Sequence, residues 1–295
     1  MLVTDLLQYT VSGLTLGVIF ALVAIGFNII YNVTEIINFA QGEFVVVGGL
    51  LAVFFVGLGF PIPLAFAASV LVTAALGFGM EKFVIRRARN ASILSLIIIT
   101  IAMSMIFKGS AMSLWGKDPY VLPAFSEGGI IMVAGAAIQP QALWVLAVSA
   151  LVVIALTLFF HRSVYGKAML ACADNASAAR MVGIPVRQMV LLSFVLSACV
   201  GSAAGVIITP ISLMQYDRGA MLGLKGFAAA ALGGLGNFYG ALAAGALLGL
   251  AESFTAGYLS SGYKDAVSLV LLLFALFFKP EGLFGSSEAA KLKKF

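Results

Sequence analysis

Long apolar runs separated by short polar breaks dominate this 295-residue chain. Nine runs stand out, at about 6–30, 36–57, 62–80, 93–115, 141–160, 188–209, 222–235, 237–257 and 265–279. Most reach the ~20 residues that an α-helix needs to cross a hydrocarbon core. The seventh is short. At ~1.5 Å per residue it covers roughly 20 Å, against a core of ~30 Å. The pattern predicts an all-α polytopic membrane protein with about eight to nine transmembrane helices. No domain boundary interrupts it, so residues 1–295 read as a single membrane domain.

Two polar stretches break the pattern. The first, 116–140, carries Pro119, Pro123 and Pro140 and the pair Gly128–Gly129. Within it, IIMVAGAAI (130–138) has two short apolar arms about Gly135, which fits a small hairpin. The second, 161–187, is the main polar island. Asp174 can cap a helix, because its carboxylate accepts from the free N–H groups of a first turn. NASAARMV (175–182) then makes about two turns, Gly183 can take the left-handed position beyond the helix end, and Pro185 stops continuation. Ala176, Ala179 and Val182 form a small apolar stripe, and Arg180 falls late in the helix, where a cation suits the dipole. So short a helix is marginal in water and needs packing. It lies either on its own membrane domain or in a groove of a cytoplasmic partner.

Charge gives orientation. Lys82, Arg86, Arg87 and Arg89, then Arg162, Lys167, Arg180 and Arg187, then Lys279, Lys291, Lys293 and Lys294 fall on one side; Lys108, Lys117, Arg218, Lys225 and Lys264 fall on the other. Twelve against five places the first group in the cytoplasm by the positive-inside rule. The N-terminus is then outside and the C-terminus inside, the 116–140 loop external and the 161–187 loop cytoplasmic. A re-entrant seventh segment would carry the lysine-bearing tail outward, so that segment is taken as crossing.

Composition agrees: 62% of residues are hydrophobic and 10% charged, far too few charges for a soluble surface. The net charge of +5 does not argue for nucleic acid, because the basic residues sit in short loops. Cys172 and Cys199 are far apart, one in the island and one in an apolar run, and are expected to be free and structural. The opening MLVTDLLQYTVSG lacks the charged region of a cleaved signal, so the first run is expected to stay as a helix.

No catalytic pattern is present. Gly166–Lys167 is followed by Ala168, not Ser or Thr, and neither GxSxG nor HExxH occurs. The single histidine, His161, falls at an interface, and no cluster suits a metal. No cofactor is expected. Polar residues inside the apolar runs are costly in lipid and face a bundle interior or a water-filled path. The candidates are Asn28, Asn38, Gln41, Glu43, Asn237 and Glu252, with Asn38–Glu43 expected at the inner mouth as a gate or hinge. Small residues at four-residue spacing (Gly13–Gly17–Ala21, Gly236–Gly240–Ala244 and Gly245–Gly249–Ser253) suit close helix contact, within the bundle or between subunits. GGLGN (233–237) suits a tight cytoplasmic connection.

Four blocks then carry a resemblance: GLTLGVIFALVAIGFNIIYNVTEIINFAQGEF (13–44), GKAMLACADNASAARMVGI (166–184), FAAAALGGLGNFYGALAAGALLGLAES (227–253) and YKDAVSLVLLLFALFFKPEGLFG (263–285). In this order and spacing the chain resembles the permease subunits of branched-chain amino acid ABC importers, the LivH-type family. The resemblance implies a membrane pathway shared with a second related permease, two cytoplasmic ATPase subunits, and an external binding protein that delivers substrate and supplies much of the selectivity. The island would be the coupling helix, with Asp174, Ala178, Ala179, Arg180 and Gly183 at its heart. The chain departs from the family at Gln41, where a His is common, and in EKFVIRRARN (81–90), which lacks a Tyr-Arg-Pro. The competing reading, a secondary transporter working without an ATPase, would require ion-coupling carboxylates within inverted repeats; only Glu43 and Glu252 are candidates.

Overall fold

A computed structural model describes residues 2–88, 91–126, 128–133, 135–279 and 281–285. Arg89, Lys291, Lys293 and Lys294, used above in the charge comparison, lie outside the described residues. The helices are α1 (Leu2–Thr34), α2 (Gln41–Gly57), α3 (Ile62–Gly79), α4 (Ile93–Trp115), α5 (Pro140–Arg162), α6 (Val164–Met181), α7 (Val186–Ile208), α8 (Arg218–Gly233), α9 (Phe238–Tyr258) and α10 (Lys264–Phe278). A π-helical turn, Met80–Ile85, continues α3, and a 3-10 turn, Ser261–Tyr263, leads into α10. Each apolar run has its helix, and the polar island supplies another.

Local chemistry sets the boundaries. Pro140 opens α5 at a position whose N–H would be unpaired anyway. Ser92 caps α4 by accepting from Ser95 N. Gly116, at φ +81°, closes the same helix. The hairpin predicted about Gly135 is present: β1 (Ile131–Val133) pairs antiparallel with β2 (Ala136–Ile138), and Gly135 has φ +87°. Gln8 at the start of α1 ties it down, donating to Ala137 O and accepting from Ala137 N at 3.0 and 2.8 Å.

Among the described residues, seven helices of at least 18 residues are long and apolar enough to cross a membrane. They account for seven of the expected eight to nine transmembrane helices; the second and seventh predicted runs form the shorter helices α2 and α8. α2 has 17 residues and α8 has 16, about 24–26 Å at ~1.5 Å per residue. The second predicted run began at 36, but α2 begins at Gln41. Residues 35–40 leave the helix because Glu35 takes φ +58° and side chains replace the lost backbone partners. Thr34 Oγ1 accepts from Ile36 N, Asn38 Oδ1 from Ala40 N, and Thr100 Oγ1 from Phe39 N. Short polar side chains compete with the helix in this way.

The helices form an inner and an outer set. In α1 and α7, 83% and 72% of the apolar window is buried; in α3, α4, α5 and α10 the figure is 11–22%. α1 packs along α9 and also meets α7 and α8, while α2 lies between α7 and α8. Small residues allow the α1–α9 contact. A Cβ on Gly249 would stand 2.3 Å from Gly13 O and from Gly17 N, and one on Gly245 would stand 2.6 Å from Ala21 N. Two of the predicted small-residue faces therefore meet each other, so they serve internal packing. At the far end of α3, buried Glu81 is held by Arg86 through Nε–Oε1 (3.0 Å) and Nη2–Oε2 (2.7 Å) contacts. The free cysteines are buried Cys172 and half-buried Cys199.

Gly249→Val should destabilise the bundle by about 1–3 kcal/mol or more. The expected readout is a lower melting temperature and reduced monodisperse yield of detergent-purified protein. Gly57→Ala, where a Cβ meets nothing within 4 Å, should leave both unchanged.

Candidate functional sites

The polar island folds as a two-part element. Ser163 caps α6, its Oγ accepting from Gly166 N at 2.8 Å. The bare α-carbon of Gly166 lets this turn press on α5; a Cβ there would lie 2.2 Å from Phe159 O. The helix then breaks at Asn175 (φ −157°, ψ 101°) and restarts. Asn175 Oδ1 accepts from Ser177 N and Ala178 N at 3.0 and 2.9 Å, so Asn175 is the cap of the second part. This corrects Asp174, an exposed residue one position too early, whose side chain does not cap. Residues 164–174, the part of the polar island before the predicted two-turn helix, are helical as well.

The end of the second part follows the predicted pattern. Gly183 takes φ +89°, its N–H donates to Arg180 O (3.1 Å), and Ile184 N–H donates to Ala179 O (3.0 Å). These two bonds make a Schellman closure, which satisfies carbonyls that a helix end leaves free.

The predicted stripe of Ala176, Ala179 and Val182 is split by the fold. Ala179 is buried against its own bundle, whereas Val182 is 78% exposed. Met181 is 84% exposed, and Ala178 and Arg180 are also at the surface. The outward face is thus Ala178–Met181–Val182, ringed by exposed Arg180 and Arg187. Two large apolar side chains thus stand open on a short helix. Their helical spacing could have been read from the sequence; which face the bundle would claim could not.

The second constellation lies inside the bundle. Gln41 Nε2 donates to Ser197 O at 3.2 Å, and Ser197 Oγ lies 2.5 Å from Gln41 Oε1 and 2.8 Å from Gly26 O. Glu43 Oε1 accepts from Ser104 Oγ at 3.0 Å. Ser104 and Ser197 each stand at the midpoint of a 23-residue helix. The Asn38–Glu43 group therefore sits halfway along α4 and α7, and its expected position at the inner mouth is corrected. The cause is the non-helical stretch 35–40, which runs back beside α4 before α2 begins.

Gly42 brings the starts of α2 and α8 together, since a Cβ there would lie 2.0 Å from Gly219 O. Gly219 in turn leaves room for the Glu43 carboxylate, whose Oε2 would lie 2.4 Å from a Cβ at that position. Asn38, Gln41 and Glu43 are all buried. Asn38 Nδ2 and Glu43 Oε2 have no hydrogen-bond partner. A buried polar atom left unpaired costs about 1–3 kcal/mol.

The remaining candidates separate into two groups. Asn28 and Asn237 lock a turn. Asn28 Nδ2 donates to Asn237 O (3.1 Å) and its Oδ1 accepts from Gly236 N (3.0 Å). Asn237 Oδ1 caps α9 through Gly240 N, and its Nδ2 donates to Phe284 O. With those bonds made, both act as fasteners of the connection between α8 and α9. Glu252, buried, is paired with Lys225 at 2.8 Å and bonded by Ser268. Lys225 also reaches Asp265 at 2.7 Å. Asp265 was absent from the sequence-derived candidates, because a carboxylate in a first helical turn reads as a solvated end. His161 is exposed in the last turn of α5.

Comparison with known proteins accords with this architecture. The family described as "Branched-chain amino acid transport system / permease component" matches residues 9–276. A high-affinity branched-chain amino acid transport system permease protein, BraD of Pseudomonas aeruginosa, is 34% identical, with 97% of this chain and 98% of that one covered. The corresponding LivH of Escherichia coli is 32% identical over 97% of each chain. A ribose import permease protein, RbsC of Escherichia coli, is 25% identical, covering 87% of this chain and 80% of its own. The match over most of the length shows that the chain belongs to the branched-chain amino acid transport system permease component family.

Proposed function

We propose that this protein carries branched-chain amino acids across the membrane as one half of an ATP-driven importer. It would pair with a second related permease, above two cytoplasmic ATPase subunits, and receive substrate from an external binding protein. The N-terminus is outside and the C-terminus cytoplasmic, residues 1–295 forming one membrane domain. Identities of 34% and 32% to the branched-chain amino acid permeases, against 25% to the ribose permease, favour an amino acid cargo.

The observation that carries the coupling role is the exposed Ala178–Met181–Val182 face on a helix closed at both ends. In this reading the ATPase groove holds that face. Nucleotide-driven closure of the groove pulls the second part of α6, and Ala179, on its buried side, passes the movement to α5 and α7. Asp174, Arg180 and Gly183 serve the same element: the first two as polar rim, the last as the turn that aims the chain into α7.

Inside the bundle, Gln41, Glu43 and Asn38 act as the gate. Two of their polar atoms have no partner, so a shift of α2 against α8 can exchange bonds without first breaking all of them. A secondary transporter would want Glu252 free to take up an ion, whereas Lys225 already neutralises it.

The reading is tested by reconstituting the full complex in proteoliposomes and following ATP-dependent uptake of leucine against ribose. Saturable leucine uptake that requires the binding protein supports it; uptake of ribose alone refutes the cargo. Ala178→Trp should leave membrane insertion intact while lowering uptake at least tenfold and reducing substrate-stimulated ATP hydrolysis to the basal rate. Gly183→Val, which forces a β-branched residue to φ +89°, should do the same at a stability cost of about 1–3 kcal/mol. Wild-type uptake in both would refute the coupling role. Glu43→Gln should reduce uptake at least tenfold with ATP hydrolysis retained; unchanged uptake would remove Glu43 from the gate.

A further inference from the structure

Between α1, α8, α10 and the 209–217 connection lies a cavity of about 120 Å³ that none of the roles above uses. A single water needs about 10–15 Å³ by this kind of measure, so the space admits roughly eight to twelve water-sized groups. That is comparable to the non-hydrogen atoms of a branched-chain amino acid. One wall is apolar, with Leu16, Phe20 and Met221. The opposite side carries charge of both signs.

The charges are arranged unequally. Lys225 and Glu252 are buried and paired with each other, which cancels their charge at the floor. Asp265 gives one oxygen to Lys225 at 2.7 Å, and its side chain is 42% exposed, leaving the carboxylate reachable from the cavity. Arg218 and Lys264 also line the cavity, are exposed, and form no salt bridge among the described residues. They are the first residues of α8 and α10, where the helix dipole already favours an anion over a cation. Two unpaired cations, one accessible carboxylate and an apolar wall thus face a common space.

We infer that this cavity is a binding site for an aliphatic amino acid in its zwitterionic form. The carboxylate sits between Arg218 and Lys264, the ammonium on Asp265, and the branched side chain against Phe20 and Met221. In the orientation proposed above the cavity lies toward the external side, where substrate leaves the binding protein. The inference rests on that reading for its place in the transport cycle, but the binding itself does not depend on it. Two small-molecule classes would each satisfy half the site: an aliphatic carboxylate and an aliphatic amine.

The test is equilibrium binding of radiolabelled leucine to the purified, nucleotide-free transporter complex without its binding protein. Saturable binding is expected, displaced by valine and isoleucine and at least tenfold less well by 4-methylpentanoate, which lacks the ammonium, or isoamylamine, which lacks the carboxylate. The double variant Arg218→Gln with Lys264→Gln should weaken leucine binding at least tenfold. Met221→Trp, a filling substitution at a side chain 39% exposed, should abolish it while the yield of assembled complex stays at the wild-type level. Absence of saturable leucine binding in the wild type, or undiminished binding in both variants, overturns the inference. Leucine uptake by the same wild-type complex separates the failures: uptake without binding sinks only this site, whereas binding without uptake sinks the cargo assignment and leaves the site standing.

Discussion

Hydrocarbon offers no hydrogen bonds, so a backbone group freed by a break in a membrane helix must find its partner in the protein or in an enclosed water-filled path. The arrangement of the first two helices follows from that constraint. Between Thr34 and Gln41 the chain leaves helical geometry, and the side chains of Thr34, Asn38 and Thr100 take over the bonds the backbone lost. Because the break is satisfied from within, α2 can begin halfway along its neighbours rather than at their ends. That start sets Gln41 against Ser197 and Glu43 against Ser104. It also brings the first turn of α8 alongside, through the paired absence of side chains at Gly42 and Gly219.

The bundle around this break is asymmetric. α1 and α9 meet through glycines at backbone distance, and dispersion between closely packed backbones can hold helices where lipid gives no hydrophobic drive. In α3, α4, α5 and α10 fewer than a quarter of the apolar positions are buried. A rigid inner set with a loosely engaged outer one suits a subunit whose outer helices must meet lipid, a second subunit, or both. The buried Lys225–Glu252 pair belongs to the inner set, where opposite charges must be matched at close range to be tolerated at all.

Much of the fold was legible in the sequence because length and apolarity report directly on membrane crossing. The hairpin about Gly135 and the Gly183 turn were equally readable, since each depends on a residue that tolerates positive φ. The Gly13–Gly17 and Gly245–Gly249 faces could be recognised as close-packing surfaces, though not that they would meet each other. Three things were not legible. Asp174 and Asn175 are both competent caps, and only the backbone at Asn175 decides between them. The depth of Asn38–Glu43 depends on a six-residue excursion whose satisfaction comes from Thr100, distant in sequence. The pairing of Lys225 with both Glu252 and Asp265 joins three helices, and spacing along one chain does not encode it.

The self-contained ends of the second part of α6 have a mechanical consequence. Asn175 closes its start and the Gly183 turn closes its finish, so its backbone bonds are completed without borrowing from the helix before it or the helix after it. A swivel of this part as a unit about Asn175 and Gly183 would therefore leave these end bonds in place. A continuous helix in the same place would resist such a swivel by bending. Under the coupling role proposed above, what would reach α5 and α7 is displacement with little elastic loss, so the stroke delivered inward would track the stroke applied outside.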